Sequence, residues 1–294
     1  MTKYRVNKTK HVDQTKTVSF DFDGKSYHGF EGDTLASALL SNGVHLVGRS
    51  FKYHRPRGIM SCGSEEPNAI CQINEDTDLT EPNVRATEIE LYEGLKASSQ
   101  NCWPSVNFDI GGINNFISPF IPAGFYYKTF MWPKSFWKKI YEPLIRWSAG
   151  LGKSPTKPDP ELYDHKHVHC DVLIIGGGIS GIIASKIAAK NNLKTILIED
   201  KNILGGSTIF QKNENYKIND KYSGEWIDEE IAELKKLDNL TIKTRTSLAA
   251  YHSYNYLLAK ENISDHLPLD KRNGGIRQRS VSYTHLRAHE TDRH

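Results

Sequence analysis

The sequence predicts a two-part fold, α+β at the N-terminal end and α/β toward the C-terminal end, and three observations carry that prediction. Apolar and polar residues alternate on both sides of Asp23-Gly24, the period-two signature of a hairpin. Aromatic residues crowd the middle of the chain, between Asn107 and Lys153. Further on, the apolar run VLII enters Gly176-Gly177-Gly178, and a second run, TILI, ends on Glu199. A chain of 294 residues has room for about two domains at roughly 150 residues each.

The N-terminal domain is expected over residues 1–105. VSFDF and KSYHGF flank Asp23-Gly24 and form two antiparallel strands joined by a two-residue turn. Leu35, Ala38, Leu39 and Leu40 then follow helical spacing, with Asp33 or Thr34 placed to cap the start and Gly43 to end it. A hairpin followed by a packed helix opens a ferredoxin-like (ubiquitin-like) half-open barrel. A turn-rich stretch from Arg55 through Pro67 precedes two further expected strands, at 69–73 and 86–91. Cys62 and Cys71 lie in MSCGSEEPNAIC, where such a domain would hold an iron–sulfur cluster. A [2Fe-2S] centre needs four thiolates, in a spacing such as C-x4-C-x2-C with a distant fourth, so two cysteines nine apart predict a domain without cluster cysteines.

Residues 106–168 form an aromatic-rich connector. Phe116, Phe120, Phe125, Tyr126, Tyr127, Phe130, Trp132, Phe136, Trp137, Tyr141 and Trp147 are too many rings for so short a segment to bury in itself. They are expected to pack between the flanking domains or to form a contact patch for another subunit. Three prolines within Lys153 to Pro160 predict a stiff linker. His165, His167 and His169 alternate in DHKHVHC and share one face of a strand, but zinc sites draw their ligands from separate elements, so no metal site is predicted.

Residues 169–280 carry the chemistry. Val172 to Ile175 has the all-apolar character of a parallel strand buried on both faces. Gly176, Gly178 and Gly181 supply G-x-G-x-x-G at the turn into a helix from about Ile179 to Lys190, with Ile182, Ile183 and Ile187 expected toward the sheet. The first glycine makes the tight turn, the second lets a pyrophosphate approach the backbone, and the third lets helix and strand pack closely. The helix N-terminus attracts the phosphate charge. Lys194 to Ile198 is the second strand, and Glu199 at its end, eighteen residues past Gly181, can accept hydrogen bonds from a ribose. Glu199 in place of an arginine favours NAD or FAD over a 2′-phosphorylated cofactor. Gly205 and Gly206, six and seven residues beyond Glu199, resemble the second glycine pair that lies near the cofactor in flavoprotein and pyridine-nucleotide-disulfide oxidoreductase sites, more than they resemble simple dehydrogenases. An amphipathic helix at 225–237 and strands at 240–246 and 254–260 complete the reading. The return strand ending in a glycine turn is missing before Arg279, so the Rossmann-like FAD/NAD(P)-binding domain is incomplete.

Composition narrows the remaining classes. Thirty-eight Lys and Arg against 35 Asp and Glu leave +3, too slight to steer nucleic acid or hold an acidic membrane surface. No window approaches the 18 or so apolar residues of a membrane span, and Cys62, Cys71, Cys102 and Cys170 form neither a disulfide framework nor a C-x-x-C pair. A cytoplasmic protein is expected. No Ser-His-Asp or paired-carboxylate constellation stands out, so no catalytic residue is assigned. His285, His289, Glu290 and His294 miss the H-E-x-x-H spacing by one residue. The tail at 281–294 instead resembles the translation of a transposon-type sequencing adaptor, VSYTHL followed by RAHET. On that resemblance the gene is cut near Ser280, the natural chain is expected to continue beyond Arg279, and the sequence given is an N-terminal fragment.

HVDQTKTVSFDFDGKSYHGFEGDTLASALL, then FKYHRPRGIMSCGSEEPNA, then SPFIPAGFYYKTFMWPKSFWKKIYEPLIRWSAGLG, then HCDVLIIGGGISG resemble the alpha-subunit family of heterotetrameric sarcosine oxidases, essentially from Met1 to Arg279. The resemblance implies a cluster-less ferredoxin-like domain, a nucleotide region occupied by NAD, and a folate-binding C-terminal domain that this sequence lacks. It implies oxidative demethylation of sarcosine to glycine, with FAD and FMN elsewhere in the complex, oxygen as electron acceptor and tetrahydrofolate taking the methyl carbon. Beta, gamma and delta subunits are the implied partners, and Gly176, Gly178, Gly181 and Glu199 match the family's nucleotide motif. Two alternatives stand beside it: a subunit of a related amine or opine oxidase or dehydrogenase, and a non-catalytic scaffold that retains a nucleotide without turnover.

Overall fold

Asp23 and Gly24 adopt φ of 50° and 72°, the left-handed pair that a two-residue hairpin turn demands, and they join β1 (Asp13–Phe22) to β2 (Lys25–Glu31). The computed structural model describes residues 4–5, 11–75, 77–120, 124, 130–148, 150–210, 217–272 and 275–284. The chain folds as two units, one running to Pro160 and taking in His266–Lys271, the other comprising Glu161–Asp265 and the residues from Arg272 on.

In the first unit the hairpin is followed by α1 (Leu35–Ser41), the short pair β3 (Gly48–Arg49) and β4 (Pro56–Arg57), then β5 (Ile70–Ile73), β6 (Glu81–Arg85) and β7 (Leu95–Ser99). The main sheet runs β2-β1-β7-β5-β6, with β7 parallel to β1 and the other neighbours antiparallel. Phe20, Phe22, Leu35, Leu39, Val47, Cys71 and Leu95 form its core against α1. Thr34 caps α1 in a reciprocal box with Ser37. Asp33, 1% exposed, instead receives both terminal nitrogens of Arg5, at 3.1 and 2.6 Å.

The strand expected at 86–91 does not form; the sheet uses Glu81–Arg85 instead. The carbonyls of Ala86 and Ile89 accept the N–H groups of Ala36 and Leu35, each at 2.9 Å. Those are donors of the first turn of α1 that no helix can satisfy internally. The segment therefore spends its backbone on the helix start rather than on a strand ladder.

After Val106, which is buried, the chain continues through α2 (Ile113–Phe116) and a π-helical turn, Trp137–Tyr141, that runs into α3 (Glu142–Ser148). Phe116 and Trp132 are 84% and 83% exposed, and Phe136 and Trp137 are exposed as well. Phe125, Tyr126 and Tyr127 lie outside the described residues. The start of the linker is fastened rather than free. Gly152 N–H donates to Asn83 Oδ1 at 3.2 Å, Lys153 N–H donates to Gln72 Oε1 at 3.0 Å, and Lys157 pairs with Asp78 at 2.8 Å.

The second unit is layered. β9 (Val172–Ile175), β10 (Thr195–Ile198) and β13 (Leu240–Lys243) make a parallel sheet in the order β13-β10-β9. Between them lie α4 (Ile179–Lys190), the short hairpin β11 (Lys217–Ile218) and β12 (Lys221–Tyr222), and α5 (Ser223–Leu234). Ile182, Leu197, Leu204 and Leu234 form one apolar cluster, between the helices and the sheet. On the other face β14 (Thr246–His252), β15 (Tyr256–Asn262), β16 (Ile276–Thr284) and β8 (Leu162–His169) form a second sheet in the order β14-β15-β16-β8. Cys170, Ile196, Ile198, Ala259, Val281 and Tyr283 join the two sheets.

Three expectations shift here. The strands expected at 240–246 and 254–260 do share one domain, but only Leu240–Lys243 belongs to the parallel sheet. Ile182 faces inward on α4 together with Ser185 and Ala189, whereas Ile183 and Ile187 point outward, Ile187 with 58% exposure. β8 belongs to the second sheet, so the unit boundary falls at Pro160, inside the expected 106–168 connector. His165, His167 and His169 are all exposed on β8, an edge strand. Val281–Thr284 continue β16 past Ser280, while His285, His289, Glu290 and His294 lie outside the described residues. Among the described residues no helix is long and apolar enough to cross a membrane.

Candidate functional site

The site forms where β9 ends and α4 begins. Gly176 turns the chain with φ of 97°, a left-handed conformation that a side chain resists, and its N–H donates to the Ile198 carbonyl at 2.8 Å. Gly178 precedes α4 in extended conformation, and no side chain caps the helix. The first-turn N–H groups of α4 are thus left for a ligand, and the positive end of the helix dipole faces the same place.

Gly181 is required by contact. A Cβ there would meet the Gly176 carbonyl oxygen at 1.8 Å, so the helix start packs directly on the turn that precedes it. Gly205 and Gly206, expected near the cofactor, meet the first glycine run. Gly205 N–H donates to the Gly177 carbonyl at 2.8 Å, and a Cβ on Gly206 would stand 2.9 Å from the Gly178 Cα. Thr208 Oγ1 donates to the Gly205 carbonyl at 2.5 Å and steadies that second loop.

Glu199 is 6% exposed and closes the floor. Its Oε2 accepts the Gly177 N–H at 2.5 Å and its Oε1 accepts the Lys201 N–H at 3.1 Å. Burial pushes the Glu199 carboxyl above the ordinary carboxylate range, and the adjoining Asp200 side chain adds to that, against the two N–H donors. The six residues expected from the sequence therefore converge: Gly176, Gly178 and Gly181 on the turn, Glu199 below it, Gly205 and Gly206 beside it. Gly177 was missed. A Cβ there would strike Leu204 at 2.4 Å and Glu199 Oε2 at 3.0 Å, and its N–H holds the carboxylate. The uninterrupted Gly176-Gly177-Gly178 run was the available signal.

The donor set suits the adenosine half of a dinucleotide: free helix amides and a Cβ-free approach for pyrophosphate, with a carboxylate acceptor for ribose hydroxyls. An iron–sulfur cluster in the first unit does not fit. Cys71 is buried in the core with its thiol pushed up to about 12 by burial and by the charge of Asp23, while Cys62 is exposed. Among the described residues no group of three or more His, Cys, Asp or Glu could hold a metal ion.

Comparison with known proteins follows the same division. The 2Fe-2S iron-sulfur cluster binding domain family matches residues 15–102, and the FAD dependent oxidoreductase family matches residues 171–275. Sarcosine oxidase subunit alpha from Rhizobium meliloti is 46% identical over 267 residues, which are 91% of this chain and 27% of that protein. The chain is a homologue of sarcosine oxidase subunit alpha. A sarcosine oxidase subunit alpha from Corynebacterium sp. strain P-1 is 29% identical over 95% of this chain and 24% of its own length, so the chain spans about a quarter of these relatives. L-proline dehydrogenase from P. horikoshii shares the fold, with a TM-score of 0.53 and 19% identity over 92% of this chain and 40% of that one. This sarcosine oxidase alpha homologue thus joins a ferredoxin-like domain to an FAD oxidoreductase domain.

Proposed function

We propose that this chain is part of the alpha subunit of a multi-subunit, cytoplasmic sarcosine oxidase, and that its second unit holds NAD. The glycine cradle over Glu199 is the observation that carries the dinucleotide, and 46% identity to a sarcosine oxidase alpha subunit supports the reaction. The match of residues 171–275 to FAD dependent oxidoreductases favours FAD as a second reading of the same site.

The α4 amides hold the pyrophosphate, Gly178 admits it, and Glu199 accepts the ribose hydroxyls while excluding a 2′-phosphate. Flavin supplies the two-electron oxidation of the amine, as FAD and FMN of the assembled complex. Sarcosine is demethylated to glycine, oxygen takes the electrons and tetrahydrofolate takes the methyl carbon. Beta, gamma and delta subunits are the partners, and the exposed aromatics of the first unit are the surface offered to them. No residue of this chain is assigned to proton transfer.

Calorimetry of the chain with NAD, FAD and NADP tests the site: NADP should bind at least about tenfold more weakly than NAD, because its 2′-phosphate meets Glu199 and Asp200. Equal affinity for NADP would remove Glu199 from its role. Anaerobic titration of the assembled complex with sarcosine should bleach the flavin, and an unchanged spectrum would sink the reaction. The chain alone is expected to be inactive and to self-associate, because β9 is a sheet edge and Ile175, Ile183 and Ile187 stand exposed around it. A monodisperse monomer in the ultracentrifuge would contradict this.

A further inference from the structure

We propose that the carboxylate of Glu66 takes the place of an iron–sulfur cluster in the first unit, gathering the loop that a cluster would otherwise organise. The loop belongs to the segment matched by the 2Fe-2S cluster binding family, yet its one cysteine, Cys62, is exposed, while Cys71 after it is buried in β5. What converges is backbone. Glu66 Oε2 accepts the N–H groups of Met60 and Ser61 at 2.7 and 2.6 Å, and Oε1 accepts those of Asn68 and Ala69 at 2.7 and 3.1 Å. Glu66 is 1% exposed, so the loop wraps the anion completely.

Cluster sulfurs are anionic acceptors that draw hydrogen bonds from the loop around them. A buried carboxylate whose two oxygens each accept two N–H groups does the same work for four amides without metal or redox chemistry. Burial alone would push the Glu66 carboxyl up, but the N–H donors of Ser61, Asn68, Met60 and Ala69 more than reverse this and hold it below the ordinary range. The charge is therefore present at neutral pH. The rest of the loop is built onto the same residue: Glu66 N–H donates to the Gly63 carbonyl at 3.2 Å, Arg85 Nε donates to the Glu66 carbonyl at 3.1 Å, and Thr87 Oγ1 donates to the Gly63 carbonyl at 2.7 Å. The loop is closed from both sides around an anion that belongs to the protein.

Two measurements on the full chain test this. Anaerobic incubation with ferrous iron and sulfide should produce no iron–sulfide charge-transfer absorption, and a stoichiometric [2Fe-2S] spectrum would overturn the proposal. In hydrogen exchange, the amides of Met60, Ser61, Asn68 and Ala69 should be protected in the unaltered chain. Glu66→Gln, which keeps the size and loses one acceptor oxygen, should speed their exchange about tenfold or more, with β1 and β7 little changed. Rapid exchange at those four amides in the unaltered chain overturns the proposal whether or not the variant folds, as does equal protection in a folded variant.

Discussion

Replacing Asp33 with alanine is expected to destabilise the first unit by about 3–5 kcal/mol, the range found when one partner of a buried ion pair is removed. The carboxylate takes both terminal nitrogens of Arg5, the Phe30 N–H at 2.9 Å and the Ser37 hydroxyl at 2.7 Å. Alanine takes the carboxylate from all of these donors, leaving Arg5 Nη2 only the Ser41 hydroxyl and the Ser37 hydroxyl only the Thr34 carbonyl, each at 3.0 Å, and Arg5 is itself largely covered, packed over the Phe30 ring at 4.9 Å. Asp33→Asn keeps the volume but turns an amide NH2 toward donors, so an intermediate loss is expected. Because the chain has two units, the readout is hydrogen exchange of the β1, β2 and α1 peptides against urea rather than a single melting curve. A loss below about 1 kcal/mol for alanine would place Asp33 among surface ion pairs and remove its proposed weight.

The same residue shows where sequence reasoning stops. Asp33 and Thr34 were equal candidates for the cap of α1, since both side chains are short acceptors in the right place. The structure divides the work, with Thr34 on the helix and Asp33 on Arg5, 28 residues earlier. No local pattern announces a partner that far away. The segment 86–91 departs from its sequence pattern for a related reason: its alternation matches a strand, but its carbonyls are claimed by the first turn of α1, some fifty residues earlier. Ile183 and Ile187 were placed inward because apolar spacing alone does not fix the rotation of a helix. On α4 that rotation follows from Gly181, whose contact with Gly176 turns Ile182, Ser185 and Ala189 toward the sheet.

The dinucleotide site was legible because it is nearly local. Strand, turn, helix, strand and acid occupy about thirty consecutive residues, and each piece has its own sequence signature. Gly205 and Gly206 were found by motif, and their reason appears only in space, where they touch Gly177 and Gly178. Glu66 left no trace of its role, since nothing in GSEEPNA distinguishes a carboxylate that collects four amides from one in water.

The glycines of the site also yield the sharpest functional test, because two of them should fail differently. Gly181→Ala puts a methyl 1.8 Å from the Gly176 carbonyl oxygen, a backbone contact that no rotamer relieves. The start of α4 must lift from the turn, at a cost of about 1–3 kcal/mol of overpacking. The displaced amides should lose dinucleotide affinity by about ten- to a hundredfold. Gly178→Ala meets nothing nearer than the Gly206 Cα at 3.9 Å, and its backbone is extended, so the unliganded fold should be unchanged within about 0.5 kcal/mol. Its methyl nevertheless occupies the approach to the α4 amides, and binding should fall by a comparable factor. Hydrogen exchange of the β9, α4 and β10 peptides against urea without ligand, beside calorimetry with NAD and with FAD, separates the two. If Gly178→Ala binds either dinucleotide as the unaltered chain does, the pyrophosphate does not lie against this turn, and the free amides of α4 need another explanation.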